Sequence, residues 1–336
     1  MTVVDAKCPG PKIKLKGKRF SAMLVTKPSN IHYLTRVSAS HGVLILAGNR
    51  RKLFLDGRYL AEAGKTAYGN VEILDQKKMP EAIKKIKKLG FEGEDVSVAR
   101  LGRMKRKYKN TKFIQTINEI ENYRRVKNPD ELRKILHACS ITRKILKRIP
   151  GLLKTGKTEI EIVFEIIRLA LALGADGMAF DPIVAFGENT AHPHHHPGQR
   201  KFKKGDLVQI DMGVRYQGYL SDFSRVYFTG KPSPEQKKVY LAVSEAKKKA
   251  ESKVRPGISN RRLDQAAREV LKSYGFGKDF THALGHGVGL DIHEMPSLSN
   301  KAPLVRLKKN EVITIEPGVY LEGKWGIRVE DTIIVR

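Results

Sequence analysis

Four acidic residues stand inside segments that otherwise read as buried β-strands: Asp211 after Leu207-Val208-Gln209-Ile210, Asp222 in the same β-rich stretch, Glu316 after Val312-Ile313-Thr314-Ile315, and Glu330 within Ile327 to Val335. A carboxylate buried without a partner is costly, so a fold that gathers several must bring cations among them or keep them protonated. The histidines add to this constraint. Seven of the ten fall in two short windows, 192–196 and 282–293. A metal centre satisfies both features at once.

Strand geometry sharpens the expectation. Asp211 and Asp222 flank Gly213 to Ser221. A two-residue turn at Tyr216-Gln217 sets the two carboxylates directly opposite, with Cβ atoms about 4.5 to 5.5 Å apart, whereas a turn at Gln217-Gly218 makes them diagonal neighbours. Either register leaves both on one sheet face. A five-residue loop from Leu321 to Trp325 likewise places Glu316 opposite Glu330. The run Thr281-His282-Ala283-Leu284-Gly285-His286-Gly287-Val288-Gly289-Leu290 is too glycine-rich for a regular helix and reads as a shaped loop or strand end. Four carboxylates with one or two of its histidines form an oxygen-rich donor set that favours Mn²⁺, Co²⁺ or Fe²⁺ over a thiolate-type zinc site. Carboxylates that bridge a pair of such ions provide a setting for amide hydrolysis.

Taken singly, these residues say little. A lone strand aspartate is usually an edge residue, and His32, His41 and His137 read as packed or exposed bystanders. The Gly285, Gly287, Gly289 spacing lacks the last glycine of a dinucleotide fingerprint, because position 290 is Leu290. Within His192 to His196, His195 and His196 read first as solvated.

The rest of the chain sets the frame. Its 336 residues, 40% of them hydrophobic, suit about two globular domains. Strands at Ala22–Val25, Gly42–Leu46 and Lys52–Asp56 and a helix at Met79–Leu89, stopped by Gly90, describe a small N-terminal α/β domain over 1–125, with Asp56-Gly57-Arg58-Tyr59 as a turn. A second domain, 126–336, opens on a well-punctuated helix: Asn128 as cap, Pro129, Asp130 and Glu131 in the first turn, then Leu132, Ile135, Leu136 and Cys139 along one stripe. Thr158 with Glu161 forms a capping box for the next helix, which Gly174 ends, and Ser233-Pro234 and Ser259 open two more. Cys8 and Cys139 are too few for a disulfide framework. No stretch is long enough to span a membrane, and the first twenty residues carry no apolar run of signal type, which points to a cytoplasmic protein. Lys+Arg outnumber Asp+Glu 64 to 35, giving a formal charge of +29. Such a surface attracts nucleic acid by non-specific electrostatics, yet runs such as Lys84-Lys85, Lys87-Lys88 and Lys105-Arg106-Lys107 read first as solvated helix faces.

In order, these residues resemble the pita-bread metallopeptidase family, in particular its Xaa-Pro branch of prolidases and aminopeptidases P. Asp211, Asp222 after ten intervening residues, His286 in His-Gly-Val-Gly-Leu, Glu316 in Ile-Glu-Pro-Gly-Val-Tyr and Glu330 in Arg-Val-Glu-Asp carry the likeness. Phe180 to Ala185 and Leu220 to Arg225 extend it through the second domain, and Asn30 to Thr35 with Asp56 to Tyr59 through the first. The resemblance implies an α/β (α+β) fold with a pita-bread, creatinase/aminopeptidase-like catalytic domain. It implies two divalent metal ions, Mn²⁺ or Co²⁺ ahead of Zn²⁺ or Fe²⁺, held by Asp211, Asp222, His286, Glu316 and Glu330. A metal-bridging hydroxide would attack the Xaa-Pro bond of proline-containing peptides, and Glu316 would relay a proton to the departing nitrogen. His194, His282 and His293 would line the substrate site, Arg328 would stand behind the carboxylates, and a homodimer would form through the N-terminal domain. Two departures from the family pattern are present: Ala191-His192-Pro193-His194 stands where the loop usually reads Ala-Leu-Pro-His, and Ser297 where archaeal prolidase-like members often carry arginine. A catalytically inactive relative that binds nucleic acid or protein is the rival, but such relatives typically lose ligands, and here all five are present.

Overall fold

The computed structural model describes residues 10–15 and 19–336; Cys8 and the other expectations for the first nine residues lie outside it. The chain divides after Arg124 into two compact units.

In the first unit, strands β1 (Ala22–Val25), β2 (Val43–Ala47), β3 (Arg50–Leu55), β4 (Val71–Asp75), β5 (Lys88–Glu92) and β6 (Lys112–Thr116) form one mixed sheet in the order β4-β3-β2-β1-β5-β6. The apolar β1 is buried along its whole length at the middle, and β6, with no fully buried residue, sits at an edge, as burial dictates. Helices α1 (Pro28–Thr35), α2 (Leu60–Thr66), α3 (Met79–Lys84) and α4 (Val98–Lys107) alternate with the strands. Ile83, Leu101 and Met104 pack on Leu24, Ile45, Phe54 and Leu89. The start of α1 lacks a side-chain cap of its own, and Glu92 at the end of β5 supplies one by accepting from the Thr26 and Lys27 amides and from Asn30 Nδ2. Asp56 closes its turn on the Arg58 amide and guanidinium.

Here the expected Met79–Leu89 helix is corrected. Helix α3 ends at Lys84, and Leu89 and Gly90 belong to β5, with the Phe20 ring over Gly90. Ile83, Ile86 and Leu89 do fit a helical period, but Leu89 and Phe91 bury more completely as alternate residues of a central strand, so tertiary burial overrides the local period.

In the second unit, the capping boxes at Asn128–Glu131, Thr158–Glu161 and Ser233–Gln236 start α6 (Pro129–Leu146), α8 (Glu159–Ala172) and α9 (Pro234–Glu251), and Ser259 caps α10 (Asn260–Ser273). A short helix, α5 (Glu121–Arg124), closes the first unit, and another, α7 (Ile149–Leu152), follows α6 in the second. The stripe of α6 is turned by about one residue from the expected one. Ile135, Ala138, Cys139 and Thr142 are buried, while Leu136 is 46% exposed. Burial pushes the Cys139 thiol up to about 12, so it behaves as an inert core residue.

The strands are β7 (Gly177–Met178), β8 (Ile183–Phe186), β9 (Leu207–Met212), β10 (Val214–Tyr216), β11 (Tyr219–Leu220), β12 (Phe223–Phe228), β13 (Gly285–Gly287), β14 (Glu294–Leu298), β15 (Val312–Ile315), β16 (Gly318–Leu321), β17 (Trp325–Arg328) and β18 (Asp331–Ile334). Sheets β12-β9-β8 and β14-β13-β15-β18 carry most of the site. One core packs α6 and α8 on β8, β9 and β10 through Ile135, Ile145, Ile166, Val184 and Ile210; the other packs α9 and α10 on β15, β16 and β17 through Val243, Leu263, Ile313, Val319 and Ile327. Each such aliphatic side chain withdrawn from water contributes about 1.5–3 kcal/mol. Two helix pairs thus clamp a strand layer from outside and leave its inner face to polar side chains. No helix among the described residues is long and apolar enough to cross a membrane.

Candidate metal centre

The first carboxylate pair comes from the β9–β12 hairpin. Tyr216 pairs with Tyr219, so the turn is Gln217-Gly218, whose φ values of 49° and 81° match a type I′ turn. Asp211 then lies opposite Ser224, and Asp222, two residues earlier, is its diagonal neighbour. Of the two registers open to the sequence, the diagonal one is realised. Thr332 on β18 holds the Asp222 backbone from across the site, accepting from its amide at 3.1 Å and donating to its carbonyl at 2.7 Å.

The second pair comes from a hairpin that changes sheet partway. Leu321 and Trp325 are themselves paired, so the loop is shorter than expected and comprises residues 322–324. The pairings Ile315↔Asp331 and Gly318↔Arg328 put Glu316 and Glu330 opposite each other at the break between β15–β18 and β16–β17. Pro317 has no N–H for the ladder, which accounts for the interruption there. Their backbones are anchored elsewhere: Glu316 N–H on the Leu284 carbonyl, Glu330 N–H on the Ser224 carbonyl.

His286 is the middle residue of β13, between two glycines that the packing requires. A Cβ on Gly285 would collide with the Thr314 carbonyl oxygen and one on Gly287 with that of Met295. The His286 Nδ1 faces the Gly287 carbonyl at 3.1 Å and so carries the proton, leaving Nε2 as a bare lone pair 3.5 Å from Asp222 Oδ2 and 3.5 Å from Glu316 Oε1. Ligand atoms of Asp222, His286 and Glu330 all lie within 4.8 Å of one another.

Electrostatics shows what this arrangement lacks. Burial, reinforced by neighbouring carboxylates, holds Asp222 and Glu330 well above the usual carboxylate range and pushes Glu316 up to about 8. Burial, then His293, depresses His286 to about 4. Asp211 Oδ1 and Glu330 Oε1 are buried with no hydrogen-bond donor among the described residues. Orphaned acceptors, crowded like charges and a neutral imidazole turned lone pair first are what divalent cations would satisfy, so the residues fit the group.

Among the described residues, Arg328 brings a cation into the cluster. Arg328, fully buried, donates through Nη2 to Asp211 Oδ2 at 2.5 Å, through Nε to Ser224 Oγ at 2.9 Å, and through Nη1 to Tyr320 OH at 2.6 Å and Pro193 O at 3.2 Å. Ser224 Oγ in turn donates to Glu330 Oε2 at 3.1 Å. Tyr320 OH meets His282 Nε2 at 2.9 Å, while His282 Nδ1 faces the Ala283 carbonyl at 2.8 Å. Burial, then Arg328, lowers His282 to about 4. His293 stacks edge-on against His286, ring centroids 4.4 Å apart, and both His293 and His194 are exposed. His194 pushes the proton affinity of His282 and His293 down, so the three imidazoles share one region with the carboxylates.

Sequence reasoning assigned no role to Ser224, Thr314 and Tyr320, although Tyr320 stands in the quoted Glu-Pro-Gly-Val-Tyr run. It is also corrected at His195, whose Nε2 is held at 2.8 Å by the buried Glu159 and is not solvated. Ser297 is exposed on β14 and its carbonyl accepts from Asn260.

The pKa directions give a signed expectation for metal-free protein. Between pH 6.5 and about 8, folded Glu316 keeps a proton that the unfolded chain, at 4.5, has released, so stability falls as pH rises. Below pH 6.5, His282 and His286 act the opposite way, because the unfolded chain takes up protons that the fold refuses down to about 4. The melting temperature of chelated protein should therefore drop from pH 6.5 to 8, and added Mn²⁺ should restore most at the upper end. A chelated protein that grows more stable over that interval would contradict this electrostatic picture.

Comparison with known proteins places the chain. Residues 133–336 match the model of metallopeptidase family M24, and residues 12–126 match the creatinase/prolidase N-terminal domain. The chain belongs to metallopeptidase family M24, with the pita-bread catalytic fold of that family behind a creatinase-type N-terminal domain. It is 35% identical to the Xaa-Pro dipeptidase of Pyrococcus horikoshii, over 94% of this chain and 90% of that one. It is 35% identical to a protein of Mycoplasma pneumoniae named as a candidate Xaa-Pro aminopeptidase, over 96% and 92%. The solved prolidase of Pyrococcus furiosus superposes with a TM-score of 0.88 at 33% identity, covering 94% of each chain.

Proposed function

We propose that this protein hydrolyses the bond preceding proline at the N-terminus of peptides or in dipeptides, using two divalent ions. The observation that carries the reading is the pair of orphaned carboxylate oxygens, on Asp211 and Glu330, inside a four-carboxylate cluster that also presents a neutral imidazole. Asp211, Asp222, His286, Glu316 and Glu330 would hold the ions, with Mn²⁺ or Co²⁺ favoured by the donor chemistry. When bound, such ions polarise a carbonyl and supply an activated water.

The chain's own residues do the rest. Glu316, as a carboxylate beside the ions, would take up a proton released by the activated water and pass it to the proline nitrogen, which leaves only once protonated. Arg328 fixes Asp211 and, through Ser224, Glu330, so the carboxylates keep their orientation. His194 and His293, on the exposed side, meet the substrate and stabilise charge on its carbonyl oxygen. Both ring nitrogens of His282 are engaged within the protein, so it acts by holding Tyr320 and, through it, Arg328.

A domain boundary at 125/126, a cytoplasmic location and a homodimer formed through the N-terminal domain complete the proposal. The first is supported by the division after Arg124, and the other two by the family resemblance. The test combines metal analysis with hydrolysis of Ala-Pro and Ala-Pro-Ala after chelation and reloading with Mn²⁺ or Co²⁺. Restored cleavage is expected, and unequal rates on the two peptides separate dipeptidase from aminopeptidase. A protein that takes up no metal and cuts neither peptide ends the proposal.

A further inference from the structure

Glu159 opens α8 directly after the Thr158 cap and is fully buried, a costly position for a carboxylate. Its side chain turns away from its own helix and accepts from four donors. Oε1 takes the Phe186 amide at 2.9 Å and Asn189 Nδ2 at 2.9 Å; Oε2 takes His195 Nε2 at 2.8 Å and the Gly198 amide at 3.1 Å. These fill the acceptor positions that a carboxylate offers.

The four donors span one segment, the loop from the end of β8 through residue 198, and that loop carries His194. Further bonds tie the same stretch to the start of α8: Ile160 N–H to the Gly198 carbonyl and Glu159 N–H to the Arg200 carbonyl. The residues on either side of His194 are both held, Pro193 through its carbonyl by Arg328 and His195 by Glu159. His194 itself remains exposed.

We propose that Glu159 and His195 form a positioning pair for His194, setting where its imidazole stands beside His282 and His293. This rests on the peptidase reading above. Glu159 touches neither substrate nor metal ligand; it acts by removing the freedom of a loop whose misplacement by 1 Å can cost about 10²-fold in rate. A glutamine has one acceptor oxygen in place of two and cannot reproduce the clasp.

In Glu159→Gln, kcat/KM on an Xaa-Pro peptide should fall about 10- to 100-fold, mainly in kcat, with metal content unchanged. In a His194→Ala background the same change should cost almost nothing, because the group it positions is already gone. Equal losses in both backgrounds would make Glu159 a brace for the fold and overturn the inference. His195→Ala, at a partly exposed side chain, provides the same comparison if Glu159→Gln does not fold.

Hydrogen exchange separates this inference from the functional reading. The Phe186 and Gly198 amides should exchange faster in both variants, and unchanged protection refutes the clasp whatever the protein cleaves. Faster exchange in variants of a wild type that cuts no Xaa-Pro peptide leaves the clasp standing but removes the peptidase reading, and the positioning role falls with it.

Discussion

Asp222→Asn should leave a folded protein without peptide hydrolysis. The substitution keeps the shape of the side chain and deletes the charge that faces His286 Nε2 at 3.5 Å and shares a ligand cluster with Glu330. The loss should exceed the about 10- to 100-fold that removal of a partner behind the ligands typically causes. Stability should move the other way in metal-free protein. Burial and the charges of Asp211 and Glu316 all disfavour an ionised Asp222, so the neutral amide relieves repulsion above neutral pH. Thermal melts with chelator and with Mn²⁺ are expected to show a variant more stable than wild type without metal and less responsive to it. A variant that keeps most of its turnover would remove Asp222 from the ligand set.

Arg328→Met should cost metal-free protein about 3–5 kcal/mol of folding stability, the usual penalty for breaking a buried ion pair from one side. Arg328 is 3% exposed and serves Asp211, Ser224, Tyr320 and Pro193 with one guanidinium. Methionine fills much of its volume but leaves the Asp211 carboxylate buried without either oxygen paired. Lysine retains the charge without the planar fork, and an intermediate loss is expected for it. Urea denaturation in chelator measures both, and a methionine variant within about 1 kcal/mol of wild type would mean that the guanidinium is not what holds the cluster together.

Much of the centre was legible because the rules involved are short-ranged. Acidic residues at positions that strand alternation buries, and opposite-residue arithmetic across two hairpins, require only the chain itself. They point to Asp211 with Asp222 and Glu316 with Glu330. The same arithmetic left two registers for the first hairpin, because both place the carboxylates on one face. The Gln217-Gly218 turn was selected along with the pairing of β9 to β12. The helix expected to run to Leu89 failed for a related reason: a period of 3.6 joins Leu89 to Ile83 and Ile86, a period of 2 joins it to Phe91, and the sheet claims it.

Glu159 and Tyr320 lay beyond any such reading. Glu159 stands at a helix start, where an acid is ordinary, and its value comes from donors 27 to 39 residues away. Tyr320 joins Arg328 to His282 across a strand pair and a distant loop. Capping, alternation and hairpin register are local physics and are written in the order of residues, which is why the elements, the caps and the pairing of the carboxylates could be read from that order. Which pairs converge and which histidine is clasped from behind depend on contacts between segments tens to more than a hundred residues apart, and such contacts exist only once the whole core has packed.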